Sequence, residues 1–500
     1  MVFSSFEFIY LFLPPVFVVF LLLRWLGSER GIVWWLIVAS LGFYTWWSPM
    51  YLILLIGSVI INFGLHRVIL KNGSKAVLAA GIVGNLATLA YFKYANFFVS
   101  AINPLLGEQL PVLMVVLPLA ISFFTFQQIS FLYDTYRDEI AECDFSKYCL
   151  FVVFFPQLIA GPIVLQKDTI PQFKLTVFQN KLFINLAVGA SLFGIGLFKK
   201  LVFADGVAPM VNTVFGLADS GEMVPMEAAW IGALAYTFQI YFDFSGYCDM
   251  ALGLARIFGI RLPVNFYSPY KATSIVDFWR RWHITLSRFL RDYLYIPLGG
   301  NMKGPARRYV NLMATMVLGG LWHGAAWTFV FWGFLHGLYL IINHGWDMVM
   351  KNNASLSRVP RPVRTLCART ITMLAVIVAW VFFRAETFGG ASTILLSMVG
   401  LEGRFAPALW KDLLATSANA WVQFAVLAFI VLLMPNSIEL LRRYRPVTEM
   451  VATLGAKLRS PGLIWRPSGR WAIATYAMSL IAIVQLYRLG DMTEFIYFNF

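Results

Sequence analysis

An apolar run of awkward length occupies the middle of this 500-residue chain, from about Tyr309 to about Asn343. A helix needs roughly 20 apolar residues to cross a bilayer, so this run is too long for one crossing and too short for two. It must tilt steeply, fold back, or break near its middle. That middle reads Leu318-Gly319-Gly320-Leu321-Trp322-His323-Gly324-Ala325-Ala326-Trp327. Its three glycines offer the break, because glycine tolerates backbone angles that other residues avoid. Between them stands His323, near mid-membrane by this count. An ionisable group at that depth is costly and usually faces a polar cavity, so it is a functional candidate. The plainer reading is a neutral histidine hydrogen-bonded to a neighbouring helix.

The remainder of the chain supports a membrane setting. Hydrophobic residues make up 59% of it and charged residues only 13%, about half the charge of a soluble protein. The fold class is therefore an all-α polytopic membrane protein, organised as one integral-membrane domain over residues 1–500. Aromatic residues reach 17%, as interfacial belts and cavity walls require. The four cysteines show no C-x-x-C spacing and support neither a zinc site nor a disulfide framework. The N-terminus lacks the basic start and small-residue cleavage site of a signal peptide, so the first span, Phe8 to Leu26, stays as an anchor. Arg24 and Arg30 follow it and mark a cytoplasmic turn, which leaves the N-terminus periplasmic or extracellular. Further spans are expected at Val33–Trp47, Tyr51–Leu65, Ala76–Tyr94, Pro111–Tyr133, Leu182–Phe203 and Ala228–Phe258. Phe151–Leu165 is short and interrupted by Pro156-Gln157 and Ala160-Gly161-Pro162, the mark of a re-entrant segment. Asp243 and Asp249 lie inside the Ala228–Phe258 run and either pair as structural groups or line a site.

Residues 256–308 carry ten basic and two acidic side chains, net +8, a strong cytoplasmic marker. Within them Asp277 to Tyr295 reads as one amphipathic helix, with Asp277/Arg281 and Arg288/Asp292 as i,i+4 pairs. The opposite face carries Trp279, His283, Leu286 and Leu290, so His283 points to the interior that His323 occupies. A helix resting on the membrane surface would show the same arginines but would not explain the inward histidine. Later spans are expected at Ile371–Phe383, Val422–Leu433 and Trp471–Leu486, with an interfacial segment over 388–421 and a basic stretch from Arg442 to Arg470. Asp491 and Glu494 put the C-terminus outside. No internal repeat is visible, which weakens an inverted-repeat transporter. G-x-S-x-G and H-E-x-x-H are both absent, so neither a hydrolase nucleophile nor a local metal motif is present. A metal held by His283 and His323 would need His336 or Asp243 as a further ligand.

Several motifs, in this order, resemble the membrane-bound O-acyltransferase family. They are Met1-Val2-Phe3-Ser4-Ser5, Ile121-Ser122-Phe123-Phe124-Thr125-Phe126-Gln127, and Phe155-Pro156-Gln157-Leu158-Ile159-Ala160-Gly161-Pro162. Phe242-Asp243-Phe244-Ser245-Gly246-Tyr247, Asp277-Phe278-Trp279-Arg280-Arg281-Trp282-His283, Trp322-His323-Gly324 and Trp332-Gly333-Phe334-Leu335-His336-Gly337 complete the set. The resemblance covers nearly the whole chain and falls in the bacterial branch that modifies polysaccharides and teichoic acids, nearer its acetylating than its D-alanylating members. It implies a ring of roughly 10–12 transmembrane helices, with re-entrant and amphipathic pieces, around a tunnel where donor and acceptor meet. By the resemblance, His323 takes the place of the family's invariant histidine and His283 that of the second catalytic position. Asp277, Trp279, Arg281, Trp282, Trp322, Trp327, His336, Gln157, Asp243, Ser245 and Tyr247 become candidates to line the tunnel.

The implied activity is O-acetyl transfer in a bacterial inner membrane. The donor would be a cytoplasmic thioester, acetyl-CoA, its phosphates attracted by the +8 segment. His323 would act as general base on an acceptor hydroxyl, a role worth about 10² to 10⁴ in rate. His283 would orient the base or the thioester carbonyl. The acceptor would be a periplasmic partner's serine or a hydroxyl of an exported polysaccharide. No bound cofactor, metal or nucleic acid is implied. Two other classes stay open at this point: a transporter of an acylated intermediate, and a scaffold that recruits periplasmic enzymes through outer loops and Tyr497-Phe498-Asn499-Phe500.

Overall fold

The computed structural model describes residues 1–47, 49–106, 110–140, 142–352, 359–402, 410, 417–448, 463–489, 495 and 496. All regular structure among them is helical. The N-terminal helices are cut by local signals. A π-helical turn, Glu7–Phe12, leads into α1 (Leu13–Trp25). Gly27 then turns left-handed (φ 68°), and the Ser28 hydroxyl accepts the Gly31 N–H at 3.1 Å to open α2 (Glu29–Thr45). The same device, Gly73 (φ 57°) followed by Ser74, separates α3 (Pro49–Asn72) from α4 (Lys75–Leu89). A left-handed glycine ends a helix cheaply, and a serine N-cap satisfies an orphan N–H of the next. From α4 the chain passes through a π-helical turn, Ala90–Tyr94, into α5 (Ala95–Leu106).

The expected span over Pro111–Tyr133 is helical only in its second half, as α6 (Ile121–Tyr136). Residues 110–118 are not helical, because Pro111 and Pro118 lack the N–H a helix needs and bias their predecessors to extended backbone. The re-entrant reading of Phe151–Leu165 meets an interrupted, buried segment. α7 (Phe145–Val153) breaks at Phe154 (ψ 110°) before α8 (Phe155–Leu158), since Pro156 has no N–H to give Val152. Two short helices follow, α9 (Gln166–Thr169) and α10 (Leu175–Phe178).

The core is built on three long helices. α11 (Leu182–Phe198) continues through a π-helical turn, Lys199–Ala204, into α12 (Asp205–Asp219), and both pack against α13 (Met226–Ile257). Gly189 lies against Gly253 and Gly196 against Gly246, so the backbones of α11 and α13 approach as closely as small residues allow. Almost every α13 residue from Ala228 to Arg256 is buried. Its two buried carboxylates, Asp243 and Asp249, find partners in the π-helical turn. Lys200 bridges Asp243 and Asp205, each at 2.7 Å, and Lys199 reaches Asp249 at 2.6 Å. Charges removed from water persist when paired in this way.

Asp277 to Tyr295 is not one helix. α14 (Ile275–Trp279) stops, the chain turns through His283 (φ 42°), and α15 (Ile284–Leu290) restarts before a π-helical turn, Arg291–Tyr295. The turn exists because 281–284 pairs with the extended segment 265–267: Ile284 N–H donates to the Asn265 carbonyl and Tyr267 N–H to the Arg281 carbonyl, both at 2.9 Å. Both expected ion pairs survive, Asp277–Arg281 at 2.8 Å and Arg288–Asp292 at 4.0 Å, while Arg288 makes its shorter contact to Asp168 at 2.8 Å.

The central run folds back as a helical hairpin, α16 (Gly304–His323) and α17 (Trp327–Asn352). It accommodates two helices because both extend past the apolar run. The break falls at Gly324, not at Gly319 or Gly320, which stay helical. Nor does backbone freedom explain Gly324, whose angles (φ −162°, ψ 151°) are ordinary extended ones. A side chain there would run into the Phe329 ring. Gly320 and Gly333 face each other across the hairpin, where a Cβ on Gly320 would sit 3.0 Å from the Gly333 Cα.

The chain closes with α18 (Arg361–Arg384), α19 (Phe388–Met398), α20 (Ser417–Leu433), α21 (Ser437–Leu440) and α22 (Gly469–Leu489). In the segment expected to be interfacial, α19 buries one face, Gly390, Ala391 and Ile394, against α12 and α13; 403–409 and 411–416 lie outside the described residues. So do much of the basic Arg442–Arg470 stretch, Asp491, Glu494 and Tyr497–Phe500. Six helical stretches among the described residues are long and apolar enough to cross a membrane, and two shorter apolar helices join them; the sequence expectation was ten to twelve. Their outer faces present residues such as Leu11, Ile53 and Ile61, the surface that lipid covers.

Candidate active site

Two helix interruptions bring two histidines together. His323 is the last residue of α16, and His283 occupies the left-handed turn before α15. Their ring centroids lie 6.2 Å apart with planes at 60°, and both side chains are buried. Trp322 packs 5.0 Å from His323 and 6.0 Å from His283; Trp332 and Phe383 approach His323 at 5.1 and 5.3 Å, and Phe244 meets His283 edge-on at 4.9 Å. Aromatic walls of this kind exclude water and hold the rings in fixed planes.

Each histidine has its own brace. The end of α16 leaves carbonyl oxygens without intrahelical partners. The π-helical turn Ala90–Tyr94 supplies them. Lys93 Nζ donates to the Trp322 carbonyl and lies 3.4 Å from that of His323, while the Tyr94 hydroxyl donates to the Leu321 carbonyl at 2.9 Å. A cation at a helix C-terminus is also favoured by the macrodipole.

His283 is braced by a hydrogen-bond chain whose proton positions follow from one another. Ile163 N–H donates to Thr285 Oγ1 at 3.0 Å, and the Thr285 hydroxyl donates to Asn265 Oδ1 at 2.8 Å. The backbone N–H of Thr285 donates to the same Oδ1 at 3.3 Å. That oxygen is therefore an acceptor, and His283 Nδ1, 3.1 Å away, must bring the proton. The neutral ring then carries its lone pair on Nε2. A left-handed backbone at a non-glycine residue costs on the order of 1–3 kcal/mol, and the pairing of 281–284 with 265–267 holds it.

The other sequence candidates fall into different places. Trp279 donates its indole N–H to His336 Nδ1 at 3.2 Å, and His336 packs on Trp332 at 4.8 Å, so these three form a layer behind His323. Trp282 is enclosed by Phe266, Phe278 and Trp380. Asp277 and Arg281 brace the turn, with Arg281 also reaching the Tyr267 carbonyl at 3.4 Å. Gln157 spans the α7–α8 break by donating to the Phe151 carbonyl at 2.7 Å. Asp243 is committed to Lys200 and to the Ile496 N–H, which makes it a structural ion pair. Ser245 is buried within α13, and Tyr247 is sandwiched between Phe3 and Phe495 at 4.8 and 4.5 Å. Trp327 does not line this interior: as the first residue of α17 it is 56% exposed, against Phe97. The sequence reading passed over Asn265, Thr285, Lys93, Tyr94 and the Lys199-Lys200 pair. The apolar run does not stop at Tyr94 but continues to Leu106, and a lone lysine inside so long a run carries the same signal as His323 and could have flagged Lys93. Asn265 carries none.

Comparison with known proteins gives this geometry a context. The sequence model of the MBOAT, membrane-bound O-acyltransferase family matches residues 77–379, which include both histidines, the residues that brace them, and their aromatic neighbours Phe244, Trp322 and Trp332 but not Phe383. This chain belongs to the membrane-bound O-acyltransferase family. It is a multi-pass membrane protein and an acyltransferase. A peptidoglycan O-acetyltransferase of Helicobacter pylori is 42% identical over 433 residues, 81% of this chain and 80% of its own length. The probable alginate O-acetylase AlgI of Pseudomonas aeruginosa is 43% identical over 401 residues, 77% of this chain and 72% of its own. Its counterpart in Pseudomonas putida is 38% identical over 518 aligned positions that span both chains completely. The acetylating side of the resemblance is thus the side these relatives occupy.

Proposed function

We propose that this enzyme moves acetyl groups from cytoplasmic acetyl-CoA to hydroxyls on the periplasmic face of a bacterial inner membrane, for O-acetylation of an exported or cell-wall polysaccharide. In this reading His323 takes the proton of the acceptor hydroxyl as its oxygen attacks the thioester carbonyl. The C–S bond breaks, and coenzyme A leaves as a thiolate that recovers the proton. His283 faces His323 from the other wall and orients the reacting groups. The acceptor is a glycan hydroxyl or a serine of a periplasmic partner that relays the acetyl group, and both termini of the chain lie on that side.

The observation that carries the reading is the buried His283–His323 pair at 6.2 Å, formed at two helix interruptions in a chain whose family transfers acyl groups to oxygen. The relatives named for peptidoglycan and alginate favour acetyl as the group and a polysaccharide as its destination.

Proteoliposomes test it. Acetyl-labelled acetyl-CoA is given on the side bearing the basic 256–308 segment, with alginate or peptidoglycan oligosaccharides enclosed on the other. The reading expects ester-linked label inside and free coenzyme A outside. Intact labelled donor recovered inside, with no ester formed, would make the chain a carrier and refute the proposal.

A further inference from the structure

Away from the histidine pair, a cavity of about 250 Å³ opens between the loop that precedes α11 and the end of α13. Among the described residues, Gln172, Asn180, Lys181, Asn185, Arg256 and Arg261 form its polar lining, and none of the eight that line it is acidic. It shares no residue with the aromatic walls around His283 and His323.

Arg256 is the most constrained of these groups. Only 3% of it is exposed, its Nε has no hydrogen-bond partner among the described residues, and its Nη2 reaches the Tyr444 carbonyl only at 3.5 Å. Arg261 lies within electrostatic reach of it. A buried guanidinium that keeps an open N–H is unfavourable unless an acceptor, best an anion, meets it. The backbone adds to the same field. Lys181 is the N-cap residue of α11, held left-handed at φ 45°, and its side chain caps none of the N–H groups behind it. The positive end of α11 therefore opens at the lining. Arg24 joins the same loop, donating to the Phe178 and Gln179 carbonyls at 3.1 and 2.8 Å.

We propose that this cavity is a phosphate-binding site. The Arg256 guanidinium, the Lys181 ammonium, neutral amide donors and a helix N-terminus match the several oxygens of a phosphate ester better than a monatomic anion. The phosphate comes either from an acidic phospholipid of the adjoining leaflet or from a soluble phosphate compound. The site does not depend on the acetyl-transfer reading.

The test uses the full-length protein in a neutral detergent. Three probes are titrated: dioctanoyl phosphatidylglycerol, inorganic pyrophosphate, and dioctanoylglycerol as the phosphate-free control. Saturable binding is expected for a phosphate-bearing probe and not for the control. It should weaken roughly tenfold or more in Arg256→Gln and in Lys181→Gln, as loss of a charge-assisted contact requires. Lys181 is exposed, so its variant keeps the test decisive if the buried arginine variant misfolds. Binding of the lipid alone assigns the site to the membrane; binding of pyrophosphate assigns it to soluble phosphates. No binding of either, or equal affinity in folded Lys181→Gln, overturns the proposal.

Discussion

Asn265 is the residue on which the proton placement in the candidate site turns, and replacing it has a calculable effect. Its Oδ1 accepts from Thr285 Oγ1 at 2.8 Å, His283 Nδ1 at 3.1 Å and Thr285 N at 3.3 Å. In Asn265→Ala the hydroxyl can rotate to a new acceptor, but the His283 and Thr285 N–H groups cannot. Each buried donor left unmet costs about 1–3 kcal/mol, so the variant should lose about 2–6 kcal/mol of stability and melt earlier. The effect on rate is separate. Without the acceptor, the preference for the Nδ1–H tautomer falls by about 1 kcal/mol, about fivefold in population, and ring misorientation adds to it. We expect kcat to fall about 10- to 100-fold, with KM for the donor changed less than about twofold, because the change touches proton placement and not donor binding. Asn265→Asp keeps an acceptor and should retain much of the rate. Its carboxylate favours the charged ring, so the acid limb of the pH–rate profile should move to higher pH, a shift that lost packing would not produce. Coenzyme A release from purified protein, followed across pH together with Tm, measures both effects. A folded Asn265→Ala enzyme turning over at the wild-type rate would refute the reasoning.

Three further outcomes follow from other contacts. Lys93→Met removes the donor to the Trp322 and His323 carbonyls; a charge-assisted bond of this kind contributes about 1.5–3 kcal/mol, so both Tm and kcat should drop, whereas the exposed Lys71→Met, compared by the same melting and turnover assays, should change neither. Gly320→Ala would push a methyl group onto the Phe329 carbonyl and the Gly333 backbone and should destabilise the hairpin by about 1–3 kcal/mol, seen as a lower Tm. The Glu29 carboxyl is held below its ordinary value, first by the Lys147 hydrogen bond at 2.8 Å and next by the Leu175 N–H. A depressed carboxyl contributes stability above its unfolded value, about 4.5, that disappears as pH falls through the lower folded value. The Tm gap between wild type and Glu29→Gln should therefore be full at neutral pH and close in acid; a gap that stays constant would contradict this.

How legible all this was in the sequence depends on distance along the chain. The apolar runs and their serine, glycine and proline boundaries act within a few residues, and α1 to α4 emerge close to where those signals put them. His323 and His283 were legible because an imidazole among apolar residues has no local excuse. What failed was the assumption of continuity. Asp277 to Tyr295 has helical periodicity throughout, yet pairing with 265–267 bends it at His283, and that pairing joins segments whose register no local pattern encodes. Asp243 read as a site candidate because its partner, Lys200, lies 43 positions earlier across the α11–α13 contact. Trp327 failed for the opposite reason: neighbours in sequence around His323 point in different directions once the helix ends at Gly324.

The central claim is that His323 is the base of an acetyl transfer and His283 its positioning partner. Purified protein with acetyl-labelled acetyl-CoA and acceptor oligosaccharide decides it, comparing wild type with His323→Ala and His283→Ala that retain the wild-type Tm to within a few degrees. The account predicts coenzyme A release and label transfer in wild type, near-complete loss of both in His323→Ala, and a severe loss in His283→Ala. Wild-type turnover in folded His323→Ala would contradict it.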